Sequence, residues 1–140
     1  MTRESETREW LCAAAAGDAR VVARLSALAH EQLVTSGFRT GELTLTRKAV
    51  LRALLDYQNG EIADTELQRW AWFVMRGYVP GVGDGPVLPL QIDYEHGFEE
   101  VIAAVVGRCS ELGDLVDGTI DPQELAALVG RLATLGDGAP

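Results

Sequence analysis

The sequence contains no long apolar run and only two cysteines. None of its apolar stretches approaches the roughly 18 uncharged residues that a membrane span needs, so we expect no membrane contact. Cys12 and Cys109 lie among apolar neighbours in predicted helices, where a free cysteine behaves as a small, buried hydrophobic residue. The charged beginning of the chain lacks the basic cap and apolar core of a signal peptide, which predicts a cytoplasmic protein.

Side chains and motifs suited to catalysis are also scarce. The chain has two histidines, and neither has a sequence neighbour that would form an acid–base pair with it. Ser110 lacks the flanking glycines of a nucleophile elbow. The glycine-rich residues 81–85 lack the Lys-Ser or Lys-Thr of a phosphate-binding loop. We therefore predict no catalytic residues, no cofactor and no enzymatic activity.

Positive charge is scarce in the second part of the chain. Residues 1–52 contain eight basic and six acidic side chains, whereas residues 53–140 contain four basic and fifteen acidic ones. Between Gly77 and Gly130, Arg108 is the only cation beside ten carboxylates. Such a surface repels phosphate backbones and attracts basic proteins. The balance predicts a basic protein partner and no nucleic acid, although the same net charge also simply keeps a small domain soluble.

What the sequence does contain is helical periodicity over most of its length. Apolar residues recur at spacings of three and four. This predicts helices over residues 5–16, 19–35, 47–58, 65–77, 94–115 and 122–135. Three prolines and three glycines in residues 79–92 predict a loop before the fifth helix, with room for short extended pieces only. A chain of 140 residues is most simply one domain. We therefore predict an all-α, single-domain bundle of five or six helices over residues 1–140.

The fourth predicted helix is apolar on nearly every side. Trp70 and Val74 belong to one stripe, while Trp72 and Phe73 cover most of the rest. Such a helix is usually central in a bundle, but aromatic residues also concentrate in interfaces. We favour the core. Self-association of a structural or scaffold protein through Trp72 and Phe73 is the alternative, and the sequence leaves the oligomeric state open.

Two strings of the sequence share a pattern. Residues 59–67 read NGEIADTEL, and residues 117–125 read DGTIDPQEL. A turn residue followed by glycine is suited to ending a helix. Each string then offers an aspartate as N-cap and a glutamate near the third helical position, as in a capping box: Asp64 with Glu66, and Asp121 with Glu124. We interpret both strings as tight corners between antiparallel helices.

Two sets of side chains raise the alternative of a metal-binding helical protein. Both strings lack the first two carboxylates of an EF-hand loop, but a non-standard cation site at Asp117, Asp121 and Glu124 remains an alternative. The second set surrounds His96, in residues 93–100. There, acidic residues at a helix start are already explained by the helix dipole. We predict no metal at either place.

Three basic residues raise the alternative of a DNA-reading helix–turn–helix. Arg47, Lys48 and Arg52 precede the first corner. A reading helix turns several polar side chains towards a groove of the DNA. The helix after this corner is apolar nearly all round, so this alternative is not favoured.

Residues 53–74, ALLDYQNGEIADTELQRWAWFV, resemble a segment of small helical bacterial immunity proteins, which neutralise nuclease toxins in contact-dependent inhibition and colicin-type systems. The shared features are a Gly-Glu-Ile turn, then Glu-Leu and an aromatic residue: Gly60, Glu61, Ile62, Glu66, Leu67 and Trp70. The resemblance covers about twenty residues of the chain. It implies a compact helical protein whose acidic face blocks a basic toxin.

The composition and the resemblance both favour a non-catalytic, acidic protein-binding module of the immunity or antitoxin kind. We predict its partner-binding face at the acidic start of the fifth helix and in the loop before it, at Asp84, Asp93, Glu95, Glu99 and Glu100. Carboxylates on a helix beside a loop are suited to covering a cationic active site.

Overall fold

The computed structural model describes residues 2–22, 43–76, 92–112 and 118–133. Its elements are α1 (Thr2–Ala15), a 3₁₀ turn (Ala19–Val21), β1 (Leu43–Leu45), α2 (Arg47–Gln58), α3 (Asp64–Arg76), β2 (Ile92–Tyr94), α4 (Glu99–Cys109) and α5 (Pro122–Ala133). The described part is mostly helical, as predicted. None of its helices has the length and apolar content that crossing a membrane requires.

A small parallel sheet corrects the prediction of a purely α-helical fold. Leu43 of β1 lies opposite Ile92 of β2, and Leu45 lies opposite Tyr94. Each strand has three residues, which is too short for an alternating pattern to be recognised. The connection between the strands includes α2 and α3, as a parallel pair requires a long crossover. The apolar spacing therefore predicted helices but gave no indication of the sheet.

The predicted fifth helix began too early. Tyr94 belongs to β2, and α4 starts only at Glu99. Gly97 lies between them with φ of 90°, a left-handed conformation that glycine adopts readily and that interrupts a helix. The other end of this predicted helix, the second predicted helix beyond Val22 and most of the Pro/Gly-rich loop lie outside the described residues.

The end of α1 packs directly on α2. The N–H of Gly17 donates to the carbonyl of Ala14 at 3.1 Å, and that of Asp18 donates to the carbonyl of Ala13 at 3.0 Å. This pair of bonds is the Schellman arrangement, and it places Gly17 at φ of 96°. A Cβ atom at Gly17 would lie 2.2 Å from the carbonyl oxygen of Ala49, so α2 leaves no room for one.

The first repeated string forms the predicted tight corner, between α2 and α3. The N–H of Gly60 donates to the carbonyl of Tyr57 at 3.1 Å, and that of Glu61 donates to the carbonyl of Asp56 at 2.8 Å. Gly60 has φ of 77°, which completes a second Schellman end. Ile62 is buried and ties the turn to the core.

The start of α3 differs from the prediction by one position. Asp64 is already helical, and its Oδ1 accepts a 2.5 Å hydrogen bond from the hydroxyl of Tyr57 on α2. The residue before the helix is Ala63, whose N–H donates to Oε1 of Glu66 at 2.9 Å. The glutamate half of the predicted capping box is therefore present, while Asp64 links the two helices instead of capping one.

The second repeated string starts α5 with the predicted aspartate cap, but the side chain of Glu124 pairs with Arg108 instead of completing a capping box. Oδ1 of Asp121 accepts a 2.7 Å hydrogen bond from the N–H of Glu124, and Pro122 is the first helical residue. Ile120 is buried, like its counterpart in the first string. The preceding turn falls in residues 113–117, outside the described part, so a shared helix end stays a prediction.

One apolar cluster includes buried side chains from the five helices and from β1. Its largest members are Trp70, Phe73, Leu11, Leu45, Leu54, Leu67, Ile102, Leu112 and Leu132. The indole N–H of Trp70 donates to the carbonyl of Ala14 at 2.9 Å, which satisfies a carbonyl in the last turn of α1. This confirms that α3 is a core helix.

The side of α3 considered for self-association is mostly occupied by the core. Phe73 is buried, and Trp72 is half-buried and packs against the core cluster. Of the two cysteines, Cys109 is buried as predicted, whereas Cys12 is exposed. Burial raises the pKa of the Cys109 thiol to about 12.

Candidate functional site

Four of the five residues predicted to form the partner-binding face lie in β2, at the start of α4 or in the turn between them: Asp93, Glu95, Glu99 and Glu100. The N–H of Glu95 donates to the carbonyl of Leu45 at 2.9 Å, which extends the sheet by one bond. Gly97 then reverses the chain, and the N–H of Phe98 donates back to the carbonyl of Glu95 at 3.0 Å. The turn is therefore fixed to β1 on one side and leads directly into α4 on the other.

Glu95 and Asp93 are only partly exposed, and Glu95 takes part in a structural hydrogen bond. Oε1 of Glu95 accepts a 2.9 Å hydrogen bond from the backbone N–H of Arg47, one of the otherwise unpaired N–H groups at the start of α2. Asp93 is half-buried in β2, opposite Thr44. The third predicted member from this region, Asp84, lies outside the described residues.

Glu99 and Glu100 are exposed, together with His96. Oε1 of Glu99 accepts a 2.8 Å hydrogen bond from the N–H of Gly97, and its Oε2 lies 3.6 Å from Nδ1 of His96. Hydrogen bonds from its own backbone N–H and from that of Gly97 hold the pKa of Glu99 below its ordinary value. The carboxylate of Glu99 is thus anchored in its charged form at the first turn of α4.

An open groove of 410 Å³ runs beside these carboxylates. Five of its lining residues come from the start of α4 and the turn before it, and the sixth comes from the end of α5: Gly97, Phe98, Glu99, Glu100, Val101 and Arg131. Phe98 and Val101 are half-buried, whereas Glu99, Glu100 and Arg131 are exposed. The groove is therefore lined by two half-buried apolar side chains and by exposed charged side chains of both signs.

Arg47 is a buried residue in contact with this region, and the sequence analysis did not identify it. The residue is only 6% exposed, and its Nη1 donates to the carbonyl of Leu132 in the last turn of α5 at 2.9 Å. Its guanidinium carbon lies 5.2 Å from the centroid of the Phe98 ring, a cation–π distance. Nothing in the local sequence distinguishes this arginine from its exposed neighbours Lys48 and Arg52. Burial of Arg47 also removes one of the three cations that suggested DNA binding.

Arg108 neutralises part of the acidic surplus at the joint between α4 and α5. Its guanidinium contacts Glu124 through Nε at 2.6 Å and through Nη2 at 3.1 Å. Nη1 of Arg108 also contacts Glu111 at 3.0 Å, and Nη2 donates to the carbonyl of Thr119 at 2.8 Å. With Asp121 used as an N-cap, these carboxylates contribute to the fold.

Two places were considered as metal sites, the second repeated string and the residues around His96. Across the four described ranges, no group of three or more histidine, cysteine, aspartate or glutamate side chains is arranged to hold a metal ion. In the second string Glu124 pairs with Arg108 and Asp121 caps α5, while Asp117 lies outside the described residues. His96 is fully exposed beside Glu99.

No protein-family model, curated protein or solved structure matches this chain. The resemblance to immunity proteins therefore stays a prediction from the 53–74 segment alone.

Proposed function

We propose that this chain is a non-catalytic protein-binding module for a basic partner, and that it makes contact through the start of α4. The observation that supports the proposal is the pair of exposed carboxylates, Glu99 and Glu100, that line an open groove together with the apolar side chains of Phe98 and Val101. A protein partner is favoured because interfaces combine an apolar centre with a charged rim.

The local structure prepares these carboxylates for a cation. Glu99 is fixed by the N–H of Gly97, and this hydrogen bond also contributes to the lowered pKa of its side chain. Both glutamates start a helix that the core holds in place through Ile102 and Val105. Because rigid groups lose little conformational entropy on binding, a partner gains more of the contact energy than it would from flexible side chains.

The contact face is narrower than the sequence analysis predicted. Glu95 supports the turn and the start of α2, so we assign it a positioning role rather than contact with the partner. Asp93, half-buried in the sheet, stands behind the same turn. Glu99 and Glu100 are the described residues best placed to meet a cation, and Asp84 stays a predicted contributor from the loop.

The resemblance to immunity proteins suggests what kind of basic partner to expect. In that role the module would cover the cationic active site of a nuclease toxin, and electrostatic attraction would speed the encounter. The net charge of −9 favours the same partner class. We therefore propose an immunity or antitoxin role as the specific form of the binding function.

Affinity capture with charge-matched variants tests the proposal. The wild-type protein, a Glu99→Gln/Glu100→Gln variant and a Glu9→Gln/Glu61→Gln variant are immobilised and exposed to extracts of the native host at low and at moderate salt. The two variants lose the same charge, but Glu9 and Glu61 lie on α1 and at the α2–α3 corner, where both are exposed.

We expect wild type and the Glu9/Glu61 variant to retain the same basic protein at low salt, with less retained at moderate salt because exposed charges are screened. The Glu99/Glu100 variant should lose it. Recovery of no basic protein by the wild type, or equal recovery by both variants, would refute the proposal.

A further inference from the structure

The groove beside Glu99 has two walls from distant parts of the sequence. One wall is the first turn of α4 with Gly97 and Phe98, and the other is Arg131 in the last turn of α5. The walls carry opposite charge, and Val101 and Phe98 supply apolar surface between them. A long basic patch would therefore meet a like charge at Arg131.

Arg47 is buried and contacts residues on both sides of the groove. Its backbone N–H is bound by Glu95 in the turn before α4, and its guanidinium stacks on Phe98. The same guanidinium donates to the carbonyl of Leu132, next to Arg131. One buried side chain thus connects the α4 wall to the α5 wall, so the groove exists before any partner arrives. A preformed site avoids the cost of ordering its walls on binding.

The charged side chains of the walls remain available to a ligand. Within the described ranges no ion pair joins Glu100 or Arg131 to another side chain, and the ion-pair partner of Glu99, in addition to its hydrogen bond from Gly97, is the exposed His96. Charged groups that face each other across a groove select a partner of matching polarity, since a reversed or uniform charge pattern places like charges together.

We propose that the groove receives a partner segment in which an aliphatic residue lies between a basic and an acidic side chain. The basic side chain contacts Glu99 and Glu100, the aliphatic one packs on Phe98 and Val101, and the acidic one contacts Arg131. The inference rests on the proposed function and deepens it, because it defines which segment of a basic protein is recognised.

Binding of a short peptide tests this inference directly. The probe is acetyl-Arg-Leu-Glu-amide, and the control is the uncharged acetyl-Gln-Leu-Gln-amide, each titrated into ¹⁵N-labelled full-length protein by NMR. We expect the probe, and not the control, to shift the amide signals of Gly97, Val101 and Arg131. The Glu99→Gln/Glu100→Gln variant and the Arg131→Gln variant should each bind the probe about threefold to tenfold more weakly, while Glu9→Gln/Glu61→Gln binds like wild type.

Failure of this inference is distinguishable from failure of the proposed function. Absence of shifts, equal shifts from both peptides, or unchanged binding by Arg131→Gln overturns the groove inference. If the captured basic protein still depends on Glu99 and Glu100, the binding function stands. If the peptide binds in the groove but capture does not depend on those glutamates, the groove inference stands and the proposed contact of the captured protein with the start of α4 fails. An Arg47→Lys variant, checked for its fold by the same spectra, should bind the probe more weakly because lysine lacks the planar group that joins the walls.

Discussion

Gly17 and Gly60 occupy the same place in two helix ends, but their surroundings differ. Both have a positive φ, which costs a non-glycine residue about 1–2 kcal/mol. A Cβ at Gly17 would also meet the carbonyl oxygen of Ala49 at 2.2 Å, whereas a Cβ at Gly60 meets nothing within 4 Å. We expect Gly17→Ala to lower the free energy of unfolding by about 3 kcal/mol and Gly60→Ala by about 1 kcal/mol in urea titrations. Equal losses would contradict the packing of α1 on α2.

For Arg47 too, the surroundings of the side chain decide how much a substitution should change the free energy of unfolding. Arg47→Met keeps the apolar stem but leaves the buried carbonyl of Leu132 without its donor, which we expect to cost about 2 kcal/mol. Arg52→Met is the matched control, since Arg52 is exposed and lies 3.9 Å from Asp56 in the next turn. That change should stay within about 0.5 kcal/mol. Similar unfolding midpoints for both variants would show that Arg47 does not join α2 to α5.

At the scale of elements, the joint between α4 and α5 should respond to acid. Hydrogen bonding to Arg108 lowers the pKa of Glu124 below the unfolded value of about 4.3. This contribution to stability is therefore present above about pH 4.3 and is lost as the pH falls through the lower folded value. The difference in unfolding free energy between wild type and Glu124→Gln should shrink below that pH. A difference that is constant with pH, or one equally seen for Glu9→Gln, would contradict the ion pair.

The corner between α2 and α3 should respond to base. Burial, together with the hydrogen bond to Asp64, raises the pKa of Tyr57 to about 12 from an ordinary value of about 10. The folded state favours the protonated side chain of Tyr57. The stability that this contributes is therefore complete below about pH 10 and is lost between pH 10 and about 12. Tyr57→Phe should reduce the fall in unfolding free energy over that interval. An unchanged slope would show that Tyr57 does not link the helices. Burial also raises the pKa of Tyr94, so Tyr94→Phe should reduce the same fall, and a variant with both substitutions should reduce it most.

Elements with local signals were predicted from the sequence, and elements that depend on distant contacts were not. Helix α2 was predicted with its observed bounds, because Thr46 caps it and its apolar spacing is regular. The pairing of β1 with β2 depends on residues about fifty positions apart, and no local pattern encodes it. Burial of Arg47 and the hydrogen bond of Glu95 to its N–H likewise depend on contacts between residues far apart in the sequence. For the candidate site, the sequence therefore predicted the exposed Glu99 and Glu100 but not the groove beside them.

For the molecule as a whole, part of the acidic surplus is used in structural contacts. Glu111 and Glu124 pair with Arg108, Asp121 caps α5, and Glu95 supports the start of α2. In the described part of the chain, four of the ten carboxylates between Gly77 and Gly130 therefore have a structural contact in addition to their charge. We propose that recognition depends on Glu99 and Glu100 at the start of α4. Its dependence on these two residues can therefore be measured separately from its dependence on net charge.

The dissociation constant of the captured basic protein tests this separation most directly. It is measured at low salt for wild type, for Glu99→Gln/Glu100→Gln and for Glu9→Gln/Glu61→Gln. The two variants have the same net charge. We predict about tenfold weaker binding for the first variant, as two lost charge contacts would give, and wild-type affinity for the second. Equal weakening of both variants would show that net charge alone governs binding and would contradict a contact face at the start of α4.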